Sequence, residues 1–128
     1  MGNCDFKTEE KTSSNGVSLA NFQRQYPIGR GGYGKVWKVK SKSDDKHYAM
    51  KEMSKALIIA KKSVTSIMFE RELLSRLKND FVVNMCYAFQ DQEKLCMLME
   101  LSSGGDLRYH LYKNKKFNEK ETSKTQFN

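Results

Sequence analysis

The sequence lacks the features that mark several common classes of protein. No apolar run approaches the ~18 residues of a membrane-spanning helix, and no secretory signal opens the chain. Its three cysteines are odd in number and do not have the paired spacing of a zinc site. No basic stretch is interleaved with aromatic residues as nucleic-acid-binding segments are. These absences favour a small intracellular protein, for which we expect no nucleic-acid partner.

The composition is that of one soluble domain with a basic surface. The chain has 128 residues, of which 38% are hydrophobic and 30% charged, and this suits a single small domain. The formal net charge is +8; residues 1–21 hold two lysines and three acidic residues, so the remainder carries +9. A basic surface is usually solvated charge, but it also attracts ATP and other anions. A basic module that binds membrane surfaces or nucleic acid is therefore a less favoured alternative.

A glycine-rich stretch, Ile28 to Val36, has the pattern G-x-G-x-x-G-x-V and is central to the prediction of function. Glycines at this spacing let a backbone approach a bulky anion without a Cβ in the way, so that N–H groups can point at phosphate oxygens. Residues 35–40 alternate basic and apolar side chains with the period of a strand. A dinucleotide-binding fold needs a helix there. The pattern therefore predicts a glycine turn between two strands.

A lysine on a following strand supplies the positive charge that a phosphate site needs. Lys51 ends the sequence Tyr-Ala-Met-Lys and lies 17 residues past Gly34, which leaves room for a strand, a turn and a second strand. Ala49 and Lys51 share one face by the period of two, so a flat base beside Ala49 would leave the ammonium near its phosphates. A strand lysine alone is more often an exposed edge charge, but the upstream glycines favour phosphate contact.

A helix predicted over 64–77 places the carboxylate of Glu70 in its apolar stripe. Glu72 lies about 200° around the helix, among polar neighbours. A charge in an apolar stripe needs a partner, and Lys51 is available, so we predict a Lys51–Glu70 ion pair. The apolar residues of this stripe, which we expect to be buried, are Ile67, Leu74 and Leu77.

Taken together, residues 21–121 resemble the nucleotide-binding lobe of eukaryotic protein kinases. A short helix predicted over 55–62, Tyr-Ala-Phe-Gln-Asp at 87–91 and Gly-Gly-Asp-Leu-Arg-Tyr-His-Leu at 104–111 are similar to the AGC group of serine/threonine kinases. The resemblance implies an α+β fold with a five-stranded antiparallel sheet, one major helix and the short helix before it. It also implies phosphoryl transfer from ATP to protein serine or threonine, with Lys51 and Glu70 as the phosphate-orienting pair.

The resemblance also assigns the ATP contacts. Met99 would be the gatekeeper behind the adenine, and the backbone of Glu100 and Ser102 would bond the adenine edge. Asp106 would reach the ribose, and it is also a typical N-cap for the helix that follows. The ATP-binding residues implied in this way are Ile28, Gly29, Gly31, Gly32, Tyr33, Gly34, Val36, Ala49, Lys51, Met99, Glu100, Ser102 and Asp106.

Two motifs of the kinase family do not occur in these 128 residues. They are the catalytic loop H-R-D-x-x-x-x-N and the D-F-G magnesium site; Asp5-Phe6 and Asp80-Phe81 are followed by Lys and Val, not Gly. We therefore expect a truncated kinase domain that is inactive alone, has no metal ligand of its own and uses Mg²⁺ only with a second lobe. The alternative is a non-catalytic module that binds nucleotide or a kinase.

The first residues suggest a lipid anchor. Met-Gly-Asn-Cys would allow myristate on Gly2 and palmitate on Cys4, and two such chains give stable membrane attachment. The myristoylation pattern has Ser or Thr where Phe6 stands. We expect a cytoplasmic protein, membrane-associated if it is acylated. The predicted segments are a disordered leader at 1–20, the lobe with the hinge and the start of the next helix at 21–113, and a tail that begins the second lobe at 114–128.

Overall fold

The computed structural model of the chain describes residues 16–120 and 122. The predicted acylation sites, Gly2 and Cys4, lie outside the described residues and stay predictions. The described part forms a five-stranded antiparallel sheet with three helices, which confirms the predicted fold. None of these helices is long and apolar enough to cross a membrane. The elements are β1 (Phe22–Arg30), β2 (Gly34–Ser41), β3 (His47–Ser54), α1 (Lys55–Ala60), α2 (Val64–Arg76), β4 (Met85–Gln90), β5 (Lys94–Glu100) and α3 (Leu107–Asn114).

The strands lie in the order β1-β2-β3-β5-β4, so β3 is central and the glycine-rich stretch joins the first two strands. A short 3-10 turn, Leu19–Asn21, leads into β1. Its first two residues fall in the segment predicted as a disordered leader, and the Leu19 side chain packs against the core. The folded part of the chain therefore includes residues that composition alone assigned to the leader.

Both faces of the sheet carry an apolar layer, because successive strand side chains point to opposite faces. The layer on the helix side holds residues of α1 and α2 as well as of the strands; its buried members are Met53, Ile58, Ile67, Met85, Leu95 and Met97. The layer on the other side lies under the residues that precede β1; its buried members are Phe22, Val39, Tyr48, Met50, Cys86, Cys96 and Leu98. The nucleotide site predicted from the sequence belongs to the helix side.

Helix α2 buries a narrower stripe than its spacing predicts. Ile67 is buried and Leu74 packs partly against the helix-side layer, as expected. The prediction that Leu77 is buried is wrong: the helix ends at Arg76, and Leu77 has an extended backbone and is 46% exposed. Phe69 is exposed as well. The periodicity identified the helix and its inner face, but not where the last turn stops.

Gly34 is required by a close contact between strands. A Cβ at this position would lie 2.0 Å from the carbonyl oxygen of Glu52 on β3, a distance that real side chains do not reach. At Gly31 the nearest atom to such a Cβ is 4.0 Å away. Among the glycines that the structure describes, only Gly105 has a positive φ, so the glycines of the loop do not. Contact with β3, not backbone conformation, therefore makes glycine necessary at position 34.

We predict that Gly34→Ala lowers the free energy of unfolding by about 1–3 kcal/mol, because β2 and β3 must move apart to admit the methyl group. Urea or thermal unfolding would measure the change. Gly31→Ala is the matched control: it adds the same group to open space, and it should be neutral or slightly stabilising. Equal losses in both variants would contradict the assignment of the contact to Gly34.

Cys96 is a buried free thiol on the face opposite the helices. Burial raises its pKa from 9.0 to about 11, and the negative charge of Glu52 on the neighbouring strand acts in the same direction. Glu52 is itself held by ion pairs with Arg24 and, at 3.0 Å, with Lys94. The folded protein therefore keeps the Cys96 proton to higher pH than the unfolded chain does.

This difference gives a pH dependence of stability. The Cys96 contribution is full below pH 9.0 and is lost as pH rises to about 11, because only the unfolded chain readily releases the proton. The loss amounts to at most about 3 kcal/mol. We expect Cys96→Ala to flatten the decline in the free energy of unfolding over this range, measured by urea titrations at a series of pH values. Tyr48, whose pKa burial raises to about 12, is common to both proteins. Parallel curves would contradict the prediction.

Candidate functional site

The glycine-rich loop is a hairpin turn between two strands. Strand β1 ends at Arg30 and β2 starts at Gly34, so the helix required by a dinucleotide-binding fold is absent from this part of the described chain. The N–H of Gly31 donates to the carbonyl of Gly34 at 2.9 Å and closes the turn. That N–H is therefore used by the loop itself and is not a donor for phosphate. A Cβ on Gly31 would have its nearest neighbour 4.0 Å away, whereas a Cβ on Gly32 would lie 3.6 Å from the ammonium of Lys61.

Lys51 and Glu70 are in contact. The Nζ of Lys51 donates to Oε1 of Glu70 at 2.6 Å, which joins the central strand to α2. The pair is only partly enclosed, since 26% of the lysine side chain and 39% of the glutamate side chain are exposed. The spacing thus predicted the correct partners, whereas the burial that motivated the pairing is incomplete because α2 covers the sheet loosely.

Glu52 cannot pair with Lys51, because successive side chains of a strand point to opposite faces of the sheet. Glu52 follows Lys51 directly and therefore points to the opposite face of the sheet, where it meets Arg24 and Lys94. There the Arg24 guanidinium also lies 5.5 Å from the centre of the Trp37 ring. Two separate charge clusters thus occupy the two faces, and the one at Lys51 lies on the helix side.

Four predicted adenine and phosphate contacts share the helix-side face. Val36 lies opposite Lys51 across β2 and β3, and Met99 lies opposite Ala49 across β3 and β5. Ala49 and Lys51 are two residues apart, so all four side chains leave the sheet on one side. Ala49 is buried, and Val36 and Met99 are half-buried. Ile28 lies on β1, just before the glycine turn, and is 45% exposed.

The hinge predicted at residues 99–106 is held by an asparagine that the sequence analysis did not single out. Asn84 accepts the N–H of Glu100 through its carbonyl at 3.0 Å and donates from Nδ2 to the Glu100 carboxylate at 3.1 Å. Its side chain also accepts from the N–H of Asn79 at 3.2 Å. Any bond from Glu100 to an adenine edge must therefore come from its carbonyl. No periodic pattern marks Asn84, since it lies in an irregular segment.

The residues after the hinge strand have no regular structure up to α3. Asp106 accepts the N–H of Tyr109 at 2.7 Å, which confirms its prediction as a helix N-cap. Its contact with a ribose stays a prediction. Ser102 is exposed, and its backbone role stays a prediction too. His110 bonds the carbonyl of Gly104 at 2.5 Å and so helps to close the turn before the helix.

Tyr33 differs from the other predicted contacts. Its ring packs partly against the helix-side apolar layer, and its carbonyl accepts the N–H of Ser54 at 2.9 Å. The backbone of Tyr33 is therefore the part that can contact a ligand of the loop, because its ring is packed against the apolar layer. Lys61, at the end of α1, contacts both Tyr33 and the adjacent Gly32; the sequence analysis missed it because nothing in its local pattern distinguishes it from other surface lysines.

The electrostatics and donor set of the site suit an anion. Lys51 lies opposite Val36, the last residue of the glycine-rich stretch, and provides a positive charge there. Its ammonium is held in place by Glu70. In the part of the chain that the structure describes, no group of three or more histidine, cysteine or acidic side chains is arranged to hold a metal ion. The arrangement can bind and orient a phosphorylated ligand through backbone, ammonium and apolar contacts.

Comparisons with known proteins point the same way. A probable serine/threonine-protein kinase of Dictyostelium discoideum is 42% identical over 113 residues, which are 88% of this chain and 25% of the relative. Serine/threonine-protein kinase 32C of Homo sapiens is 42% identical over 103 residues, 80% of this chain and 21% of the relative. A RAC family serine/threonine-protein kinase homolog of Dictyostelium discoideum is 37% identical over 111 residues, 87% and 25% of the two chains.

The chain spans about a quarter or less of the length of these curated relatives. The family model described as the protein kinase domain matches residues 22–127, from the first strand to the end of the described helices and beyond. The matched region contains the five-stranded sheet, the Lys51–Glu70 pair and the hinge strand. By this match and by the identity to its relatives, the chain belongs to the protein kinase family.

Proposed function

We propose that this chain is the ATP-binding lobe of a serine/threonine protein kinase of the AGC group. The observation that carries the proposal is the 2.6 Å contact between Lys51 and Glu70 on the face of the sheet that adjoins the glycine-rich loop. The names of the three relatives support the serine/threonine class. The short helix α1 before α2, and the residues at 104–111, support the AGC group.

The residues of the site fit ATP. The absence of a side chain at Gly31 leaves room for phosphate oxygens, and Lys51 offers them an ammonium that is bonded to Glu70. On the same face, the small side chain of Ala49 leaves space for a flat base. Bound ATP would supply the phosphoryl group, and the chain would hold and orient it. The remaining apolar contacts of the base would come from Ile28, Val36 and Met99.

Binding without transfer is the expected behaviour of these 128 residues. Phosphoryl transfer needs a base that receives the hydroxyl proton and ligands that hold magnesium, and the motifs that provide them do not occur in the sequence. Protein substrates would be bound by a complete kinase domain, and Mg²⁺ would act there. The alternative function, a non-catalytic module that binds nucleotide or a kinase, shares the same site and differs in never joining a catalytic lobe.

We predict that the 128-residue chain binds a fluorescent ATP analogue and that Lys51→Ala weakens this binding about tenfold or more, because a charged hydrogen bond to phosphate is lost. A fluorescence titration measures the change. The variant should unfold at nearly the same urea concentration as the wild type, since a partly exposed ion pair contributes less than ~1 kcal/mol.

Lys46→Ala is the matched control for this titration. It removes one positive charge from the exposed turn between β2 and β3, away from the glycine-rich loop, and should leave the affinity within about twofold. If Lys51→Ala and Lys46→Ala weaken binding equally, the analogue is attracted by net charge alone and the assigned site is wrong.

We further predict that the purified 128-residue chain does not transfer the γ-phosphate of ATP to a protein or peptide, with or without Mg²⁺. An assay with radiolabelled ATP and a mixture of basic protein substrates tests this. A complete serine/threonine kinase in parallel reactions confirms that the assay detects transfer. Transfer by the chain that disappears in Lys51→Ala would refute the proposed inactivity.

A further inference from the structure

Lys61 contacts the tip of the glycine-rich loop from the end of α1. Its Nζ donates to the carbonyl oxygen of Gly32 at 2.6 Å. The same ammonium lies 5.2 Å from the centre of the Tyr33 ring, within the range of a cation–π interaction. One side chain therefore contacts two successive residues of the loop, one by a hydrogen bond and the other through its ring.

The base of the Lys61 side chain is itself fixed. Lys61 is the C-cap of α1, and its N–H donates to the carbonyl of Leu57 at 3.0 Å. Its own carbonyl accepts from the hydroxyl of Ser63 at 3.0 Å. Ile58, in the middle of α1, is buried in the same apolar layer on which the Tyr33 ring packs. The helix that carries Lys61 is thus attached to the core beside the loop.

The other end of α1 holds the next carbonyl of the loop. Ser54, the N-cap of α1, donates its N–H to the carbonyl of Tyr33 at 2.9 Å. The carbonyls of Gly32 and Tyr33 are therefore bonded by the two ends of one helix. In a planar trans peptide the N–H points away from the carbonyl, so the bond to Gly32 turns the N–H of Tyr33 away from Lys61.

We propose that Lys61 is a positioning residue for ATP: it holds the loop so that the N–H of Tyr33 is directed at a phosphate group. This inference rests on the proposed function. The N–H of Gly31 is already bonded to the carbonyl of Gly34, which closes the turn. The N–H of Tyr33 is another backbone donor near the tip of the loop, and its direction decides whether it can bond a phosphate. Loss of Lys61 should therefore weaken the contacts with the phosphates of ATP and leave the contacts with its base unchanged.

The test uses three variants of the 128-residue chain. Lys61→Met removes the ammonium and keeps an unbranched side chain of similar length, and Lys61→Arg keeps a cationic donor. Lys62→Met is the matched control, since it removes the same charge one residue away; in the described part of the chain, the Lys62 side chain has no bond to the loop. Lys61 and Lys62 are both exposed, so we expect all three variants to fold.

The first measurement is the order of the loop without ligand. Backbone ¹⁵N relaxation at Gly32 and Tyr33 should give order parameters typical of a rigid backbone in the wild type, about 0.85, and values below about 0.6 in Lys61→Met. Lys61→Arg and Lys62→Met should resemble the wild type. Unchanged order in Lys61→Met overturns the inference, and it is the result expected if Lys61 only contacts phosphate directly.

The second measurement compares ATP with adenosine. Lys61→Met should weaken ATP binding about five- to tenfold and adenosine binding less than about twofold, because the restrained donor serves the phosphates. Lys61→Arg should restore ATP binding to within about twofold. Equal losses for both ligands, or an equal loss of ATP affinity in Lys62→Met, overturn the inference while the proposed function stands.

Failure of the proposed function gives a different result. In that case the wild type binds no ATP, or Lys51→Ala binds it as well as the wild type does. The inference that Lys61 serves phosphate binding then fails together with the proposed function. The loop measurement still decides whether Lys61 restrains the backbone of Gly32 and Tyr33.

Discussion

The ion pair between Lys51 and Glu70 is the interaction on which the site depends, because it fixes the lysine and joins the sheet to α2. Helix α2 has a narrow apolar contact with the sheet, in which Ile67 is its one buried residue among those described. A partly exposed pair contributes at most about 1 kcal/mol. The position of the helix and the position of the ammonium are thus set together. A site of this kind depends on how firmly the helix is held against the strands.

Much of the fold could be predicted from the sequence, because the signals for its strands and helix starts lie close together in the chain. Strands β2 and β3 show a period of two between turn residues, and Asp106 is a typical cap at the point where a helix begins. The Lys51–Glu70 pair followed from the helical spacing together with the rule that a charge near apolar neighbours needs a partner. The strand and cap signals lie within a few residues of each other. The ion pair joins residues 19 positions apart, and it could be predicted because Glu70 is the carboxylate in the apolar stripe of the helix.

The remaining features depend on contacts between distant segments. The bond from Lys61 to Gly32 joins residues 29 positions apart, and the bond from Asn84 to Glu100 joins residues 16 positions apart. Leu77 left the buried stripe because the helix stopped one residue earlier than its periodicity predicts. Gly34 was chosen for its place in a motif, yet the reason that glycine is needed there is the approach of Glu52 on another strand. None of these could be inferred from spacing alone.

Asn84 connects the segment that follows α2 with the end of β5. On one side it exchanges hydrogen bonds with Asn79, just beyond the end of α2, and on the other it holds both the backbone and the carboxylate of Glu100. It therefore links the segment after α2 to the end of β5. We expect a shift of the segment that follows α2 to reach Glu100, because both are bonded to this one residue. The end of β5 and the segment that follows α2 are thus held together by a single asparagine.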